Sequence, residues 1–250
     1  AGQYITIKQD INGEEVRRAY SICSKNAEGV TIGVKKVESG KMSTFLTESI
    51  NKGDVLQVMP PSGNFVIKGD NKHIVGICAG SGVTPIIAMI KTELAKASDA
   101  KFTLIYGNKT KDSSMFAEEL HQLQINNSDR LKIHNAYSRE GVAGAINGRL
   151  DKNTIKQLLN TFMSLNTADA YFICGHGELI EYTNELLLLN NVNQQKINFE
   201  RFTTVEKTDV ADNDSDEIIS NLRVCVDGED FEFTLSNKGQ TILDAAMEQG

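Results

Sequence analysis

The chain has no run approaching the roughly 20 apolar residues that a membrane-crossing helix requires, so no bilayer-spanning segment is expected. It has no C-x-x-C pair. The four cysteines, Cys23, Cys78, Cys174 and Cys225, are widely scattered, which argues against a zinc site and a secreted disulfide framework and favours a reducing, cytoplasmic setting. Basic charge is not in excess either. The formal charge is −7, and residues 206–217, EKTDVADNDSDE, hold six acids against one lysine and so carry −5 of it. The remainder is nearly neutral, and nucleic acid has no electrostatic footprint to bind. Internal repeats and low-complexity tracts are absent. So are an initiator Met and a signal segment: Ala1-Gly2 runs at once into a strand pattern, as expected if an earlier part has been cut away.

What is present is enough apolar material, 40 % of 250 residues, for two compact domains or one large one. Residues 1–70 read as β-rich. QYITIKQ, EVRRAYSI, GVTIGVKKV, DVLQVMP and FVIK are short β-branched runs separated by Asn-Gly, Gly or Pro-Pro, the pattern of a small antiparallel barrel. One helix interrupts it, since Met42, Phe45, Leu46 and Ile50 share a helical face behind Gly40-Lys41. Across 71–205 strands alternate with helices: HIVGICA, a helix over 85–97, FTLIYGN, a helix over 113–125, LKIHNAYS, a helix over 151–162, AYFICG, a helix over 178–190, and KINFERF. This order predicts a doubly wound α/β domain with a parallel sheet. Residues 206–219 read as an acidic linker too polar to pack. In 220–250 a hairpin about Asp-Gly and a helix ending on glycine begin a third domain.

Residues 77–91, ICAGSGVTPIIAMIK, raise the first question of chemistry. Gly80 and Gly82 between an apolar strand and a helix let backbone N–H groups approach an anion at a helix N-terminus. Pro85 stands where the dinucleotide fingerprint has its third glycine, and no lysine follows as in a P-loop. Pro85 does suit a first helical turn. An ordinary Gly-rich βα turn is the alternative. In such sheets ligands lie beyond the carboxyl ends of the strands, which puts Tyr106-Gly107-Asn108, Ser138-Arg139 and Cys174-Gly175-His176 in view. Arg139 with Ser138 suits a second phosphate, such as the 2′-phosphate of NADPH, although Glu140 competes as its ion-pair partner. Cys174 lacks basic neighbours in sequence and reads as a small buried hydrophobe, and His176 as a loop histidine. In the first region Arg18 and Tyr20 project from one strand face, a guanidinium beside an aromatic plate, and Gly40–Ser43 offers a second helix-start anion site. Together they suit a flat, phosphorylated cofactor.

Six motifs in order, R-x-Y-S at 18–21, G-x-x-S at 40–43, G-S-G-V-T-P at 80–85, Y-G-N at 106–108, S-R at 138–139 and C-G at 174–175, resemble the ferredoxin–NADP reductase superfamily over residues 2 to about 205. The tail GQTILDAAMEQG is similar to the segment preceding the cluster cysteines of plant-type [2Fe–2S] ferredoxins. The order of the three parts resembles the reductases of multicomponent oxygenases, most closely the phenylacetyl-CoA ring-epoxidase reductase group. The resemblance implies that Arg18 binds the FAD pyrophosphate, that Tyr20 packs on the isoalloxazine, and that Ser21 lies near its reactive nitrogen. Gly40, Met42 and Ser43 clamp the pyrophosphate in this reading. Gly80, Gly82, Val83 and Thr84 hold that of NADPH, Ser138 and Arg139 select it over NADH, and Cys174 and Gly175 approach the nicotinamide. Ser21 and Cys174 are then the catalytic pair, hydride passing from NADPH to FAD and electrons singly to an iron–sulfur centre and an oxygenase or other acceptor protein.

Two departures from that family pattern are expected to matter. The family barrel has a strand before GQY, without which an unpaired edge is predicted. The C-x₄-C-x₂-C ligands of the cluster belong after Gly250, so a [2Fe–2S] cluster is expected only in a complete protein. Rival readings are a flavin-bearing electron-transfer or sensor protein that never turns over NADPH, and a stand-alone ferredoxin or flavin reductase.

Overall fold

The computed structural model describes residues 1–25, 29–202, 218–226, 229–237 and 242–247. They form two compact units, 1–203 and 204–250.

Unit 1 opens on a hairpin of β1 (Tyr4–Ile11) and β2 (Glu14–Ser21), turning at Asn12-Gly13, where both residues have positive φ. A two-residue turn of that kind matches the twist of the paired strands. Helix α1 (Lys41–Glu48) packs on the hairpin, and β3 (Gln57–Val58) adds to the other side of β1, giving the order β2-β1-β3. Alternation along the strands directs Ile5, Ile7 and Val16 inward onto Met42 of the helix. Two expectations change here. Strand β1 is paired on both sides, so the open edges belong to β2 and β3. The runs GVTIGVKKV and FVIK form no strand: the first contributes only an Ile22–Ile32 bridge, and a further bridge joins Tyr4 to Ser62. Residue 33 explains part of this. A Cβ on Gly33 would meet Thr84, Met115 and Phe116 at 2.9–3.0 Å, so this segment packs against the following half instead of continuing a ladder.

That half is a six-stranded, wholly parallel sheet. Its elements in chain order are β4 (His73–Ala79), α2 (Val83–Leu94), β5 (Lys101–Asn108), α3 (Ala117–Asn126), β6 (Leu131–Tyr137), β7 (Ile146–Asn147), α4 (Lys152–Thr161), β8 (Ala170–Gly175), α5 (Gly177–Leu189) and β9 (Ile197–Arg201). The spatial order is β7-β6-β5-β4-β8-β9. Strand β4 is apolar along its length because both faces are covered, as parallel sheets require. Val75, Ile77, Ile105, Tyr171 and Ile173 face α4 and α5, whereas Ile74, Phe102, Leu104, Tyr106 and Phe172 face α2 and α3. The predicted helix over 113–125 starts later, because Ser113 and Thr110 tie their hydroxyls into a turn first. The short β7 was not foreseen.

Unit 2 holds an antiparallel pair, β10 (Ile219–Val226) with β11 (Glu229–Ser236), and α6 (Ile242–Met247) packs on β11. The predicted acidic linker over 206–217, the Asp-Gly turn and the terminal glycine lie outside the described residues.

Candidate functional site

Strand β4 ends extended at Ala79, and Gly80–Gly82 form a 3-10 turn that winds directly into α2. Gly80 takes φ +56°, a conformation glycine adopts without strain. A Cβ on Gly82 would collide with the carbonyl of Cys174 at the end of β8, so the adjacent strand ends approach each other backbone to backbone. Thr84 Oγ1 donates to Ser81 O at 2.9 Å and pins the turn. Val83 departs from its expected role: its side chain is in the core and its N–H is taken by the carbonyls of Gly80 and Ser81. The barrel reaches this turn as well. Lys35 Nζ lies 4.0 Å from where a Cβ on Gly80 would stand and donates to Ser113 O, which puts a cation beside the anion cradle.

The other strand ends flank it. The Tyr106 hydroxyl donates to Gly80 O or Met115 O at 3.1 and 3.3 Å, and burial pushes its phenol up. Two positions on, Asn108 is buried, and its side chain partly offsets the push of burial on the Tyr106 phenol. Past β6, Ser138 and Arg139 donate backbone N–H groups to Asn108 O and Lys109 O while both side chains are exposed. The competition from Glu140 resolves in favour of Arg139, because the Glu140 carboxylate accepts the Lys111 N–H. Among the described residues Arg139 has no ion-pair partner.

At β8, Cys174 is fully buried, and burial first, then Cys78 alongside, holds its thiol protonated. Gly175 is buried too, with Leu179 3.0 Å from where its Cβ would be. His176 caps α5, its Nδ1 accepting from Leu179 N at 3.2 Å while Nε2 meets Arg149 at 3.3 Å. Burial and Arg149 depress its pKa. A residue the sequence did not single out joins them. Glu200 stands opposite Cys174 in the β8–β9 register, with one carboxyl oxygen buried and unbonded, and burial raises its pKa to about 7. The sequence carried no clear signal for it, because β9 is mostly polar and Glu200 stands beside Asn198 and Arg201.

On the barrel, the two neighbouring arginines differ. Arg17 is ion-paired to Glu15 at 2.7 Å, whereas among the described residues Arg18 donates only to Arg17 O and keeps an exposed guanidinium. Tyr20 is half-buried, and the Arg18 charge opposes the upward push of burial on its phenol. Ser21 is buried at the end of β2. At the start of α1, Ser43 Oγ accepts the Val37 N–H and donates to Gly40 O, while the Met42 side chain is core. Gly40 and Ser43 thus shape the helix start, and Met42 has only its backbone to offer.

These residues fit two nucleotide groups. A helix start with an unpaired arginine and an aromatic plate suits a flavin dinucleotide, and a glycine cradle between interlocked strand ends suits a nicotinamide dinucleotide. Known proteins agree. Residues 1–67 match the oxidoreductase FAD-binding domain and residues 77–185 the oxidoreductase NAD-binding domain. The chain is 33% identical to one of the subunits of 1,2-phenylacetyl-CoA epoxidase from Escherichia coli K12, covering 100% of the chain and 71% of that protein. Among solved structures it is similar to the FAD/NAD-binding domain of nitric oxide dioxygenase from Vibrio cholerae, with a TM-score of 0.71, 25% identity, and coverage of 80% of this chain and 84% of that one. It also resembles phthalate dioxygenase reductase, with a TM-score of 0.65, 21% identity, and coverage of 100% and 70%.

Proposed function

Because the chain belongs to the FAD- and NAD-binding oxidoreductases of the ferredoxin–NADP reductase type, passing electrons from NAD(P)H through FAD, we propose that it prefers NADPH and serves as the reductase of an oxygenase. The observation that carries the NADPH preference is the exposed, unpaired Arg139 at the end of β6, with Glu140 turned away to Lys111. A planar guanidinium left free of carboxylates suits the 2′-phosphate that NADH lacks.

Bound FAD supplies the conversion of two-electron oxidation of NADPH into one-electron delivery. The chain's own residues supply position and charge. Arg18 and the start of α1 neutralise the flavin pyrophosphate, Tyr20 packs against the ring, and Ser21 offers its hydroxyl at the reactive edge. Gly80, Gly82 and Thr84 hold the second pyrophosphate with Lys35 beside it. Cys174, kept as a neutral thiol, presents a compact surface to the nicotinamide and not a nucleophile. Glu200, able to hold a proton near neutrality, sits next to it. Domains at 1–70, 71–205 and 220–250, the last a ferredoxin-like beginning after a linker at 206–219, are part of this reading. So are a final transfer to a [2Fe–2S] centre and a role in phenylacetyl-CoA catabolism, supported by the similarity to the E. coli epoxidase protein along the whole chain.

Steady-state reduction of ferricyanide tests the preference. Arg139→Ala should raise the KM for NADPH about tenfold or more while leaving that for NADH almost unchanged, because the 2′-phosphate contact is remote from the chemistry. Equal changes for both dinucleotides would reject the assignment.

A further inference from the structure

Phe116 is the residue before α3, and its backbone is left-handed, at φ +58° and ψ +22°. The other non-glycine residues with positive φ among the described ones are Asn12, Ser39 and Asn191, all short and polar. The conformation is costly for a bulky residue, and asparagine or glycine adopts it more readily. Phe116 caps no helix N–H with its side chain in return. What offsets the cost is what the ring touches. Its tip, with Met115 and Thr84, lies 2.9–3.0 Å from where a Cβ on Gly33 would stand. Lys91 Nζ lies 5.9 Å from the ring centre, pairs with Glu119 at 2.5 Å and donates to Cys23 O. The ring is a knob in a hole that only a glycine leaves, with an ammonium at its face.

The segment that carries Gly33 connects the two nucleotide sites. Two residues on, Lys35 donates to Ser113 O and stands beside Gly80. Val37 then donates its N–H to Ser43 Oγ, and its carbonyl accepts from Gly40 N, at the start of α1. From the other side, the Tyr106 hydroxyl is within reach of both Gly80 O and Met115 O, and Thr84, which pins the glycine turn, is itself part of the wall around Gly33. Residues 113–116 therefore hold the glycine turn on one side and the segment leading to the flavin clamp on the other. We propose that Phe116 is a positioning residue for hydride transfer: seated against Gly33, it fixes the start of α1 relative to the Gly80–Gly82 turn, and so the flavin relative to the nicotinamide. It acts through Gly33 and the segment behind it, not by contact with either dinucleotide. This rests on the FAD and NAD(P)H reading of the two sites.

The test uses the FAD-loaded full chain, anaerobic flavin reduction by saturating NADPH, FAD titration of the apoprotein, and calorimetry with ADP-ribose as the probe of the glycine turn. Phe116→Gly removes the knob and frees the backbone, and Gly33→Ala fills the hole. Each should slow flavin reduction about tenfold or more, since small misplacements of reacting groups are costly. Each should also weaken the long-wavelength absorbance that stacked flavin and nicotinamide rings give, while FAD and ADP-ribose affinities stay within about twofold. Phe116→Tyr, conservative elsewhere, should behave as Gly33→Ala does, because its hydroxyl extends from the ring atom nearest Gly33. Combining Phe116→Gly with Gly33→Ala should be no more than about twofold slower than either alone, because both break the same contact. Losses that multiply to about a hundredfold would overturn the proposal by showing two independent effects. Full-speed reduction in either single variant would overturn it too. So would a loss of FAD or ADP-ribose affinity as large as the loss of rate, which would make the ring a structural group. If neither NADPH nor NADH reduces the unaltered FAD-loaded chain, the reading of the two sites itself falls, before any variant is compared.

Discussion

Arg17 and Arg18 are chemically identical neighbours, and their surroundings alone assign them different work. Arg17 is held by Glu15, which Lys8 also contacts; among the described residues Arg18 has only a backbone carbonyl. Arg18→Ala should therefore weaken FAD binding about ten- to a hundredfold, measured by titrating the apoprotein, while Arg17→Ala should leave it within about twofold, since exposed pairs contribute little. Equal losses would show that the arginines act only through general charge. The alternation of Arg18 with Tyr20 was legible in sequence because a strand fixes which side chains share a face. Glu200 was not, because its burial depends on lying in register with Cys174 in a neighbouring strand. Its carboxyl titrates near 4.5 unfolded and about 7 folded. Between those values the native state keeps a proton that the unfolded state has lost, so stability falls as pH rises through that window and levels off above it. Glu200→Gln removes the decline. It should match the parent near pH 4 and exceed it near pH 8 by about 1 kcal/mol, after allowance for partial exposure, in urea melts at the two pH values. A difference between parent and Glu200→Gln that does not grow from pH 4 to pH 8 would contradict the burial of this group, since Asp151 and Asp169, whose pKa values are lowered, shift both proteins alike.

At the scale of elements, the parallel strands were legible almost to the residue. HIVGICA and AYFICG are β4 and β8 as observed, because strands buried on both faces are continuous apolar runs that end sharply at polar residues or glycine. The barrel was less so. Its runs are half-exposed, and whether GVTIGVKKV becomes a strand depends on Gly33 meeting Thr84 and Phe116, contacts about 50 and 80 residues distant that no local pattern encodes. The junction of β4, its glycine turn and β8 is the element most sensitive to a single methyl group. Gly82→Ala must push the turn off the Cys174 carbonyl, with backbone on both sides and no flexible chain to give way. It should cost about 1–3 kcal/mol in stability and abolish measurable ADP-ribose binding, while FAD content stays near that of the parent. Gly141→Ala, where a Cβ meets only the Asn147 side chain at 3.8 Å and the backbone is not left-handed, is the control for the loss of a glycine.

Across unit 1 the two nucleotide-binding halves are not independent bodies. Cys23 and Phe65 from the first half belong to the core beneath α2, Lys91 of α2 donates to Cys23 O at 3.1 Å, and Phe65 meets Phe172 edge-on with ring centroids 5.3 Å apart. Halves that share a core melt together. Calorimetry should therefore show one transition for residues 1–203. Phe65→Ala, at about 3–5 kcal/mol, should lower that single transition and weaken FAD and ADP-ribose binding together. Two separated transitions, with only the flavin half shifted, would refute the coupling. The sequence showed two regions of different rhythm but not this seam, because an apolar residue carries no mark of which core it will join.

The placement of the thiols has a consequence for a protein that handles electrons. Cys23, Cys78 and Cys174 are buried and their thiols are pushed upward, Cys23 to about 11, and only Cys225, in unit 2, is exposed. A protonated sulfur sealed from water is a poor target for peroxide. Peroxide formed when a reduced flavin meets oxygen would find these three sulfurs insulated, so a flavin oxidoreductase of this build is guarded against a by-product of its own chemistry.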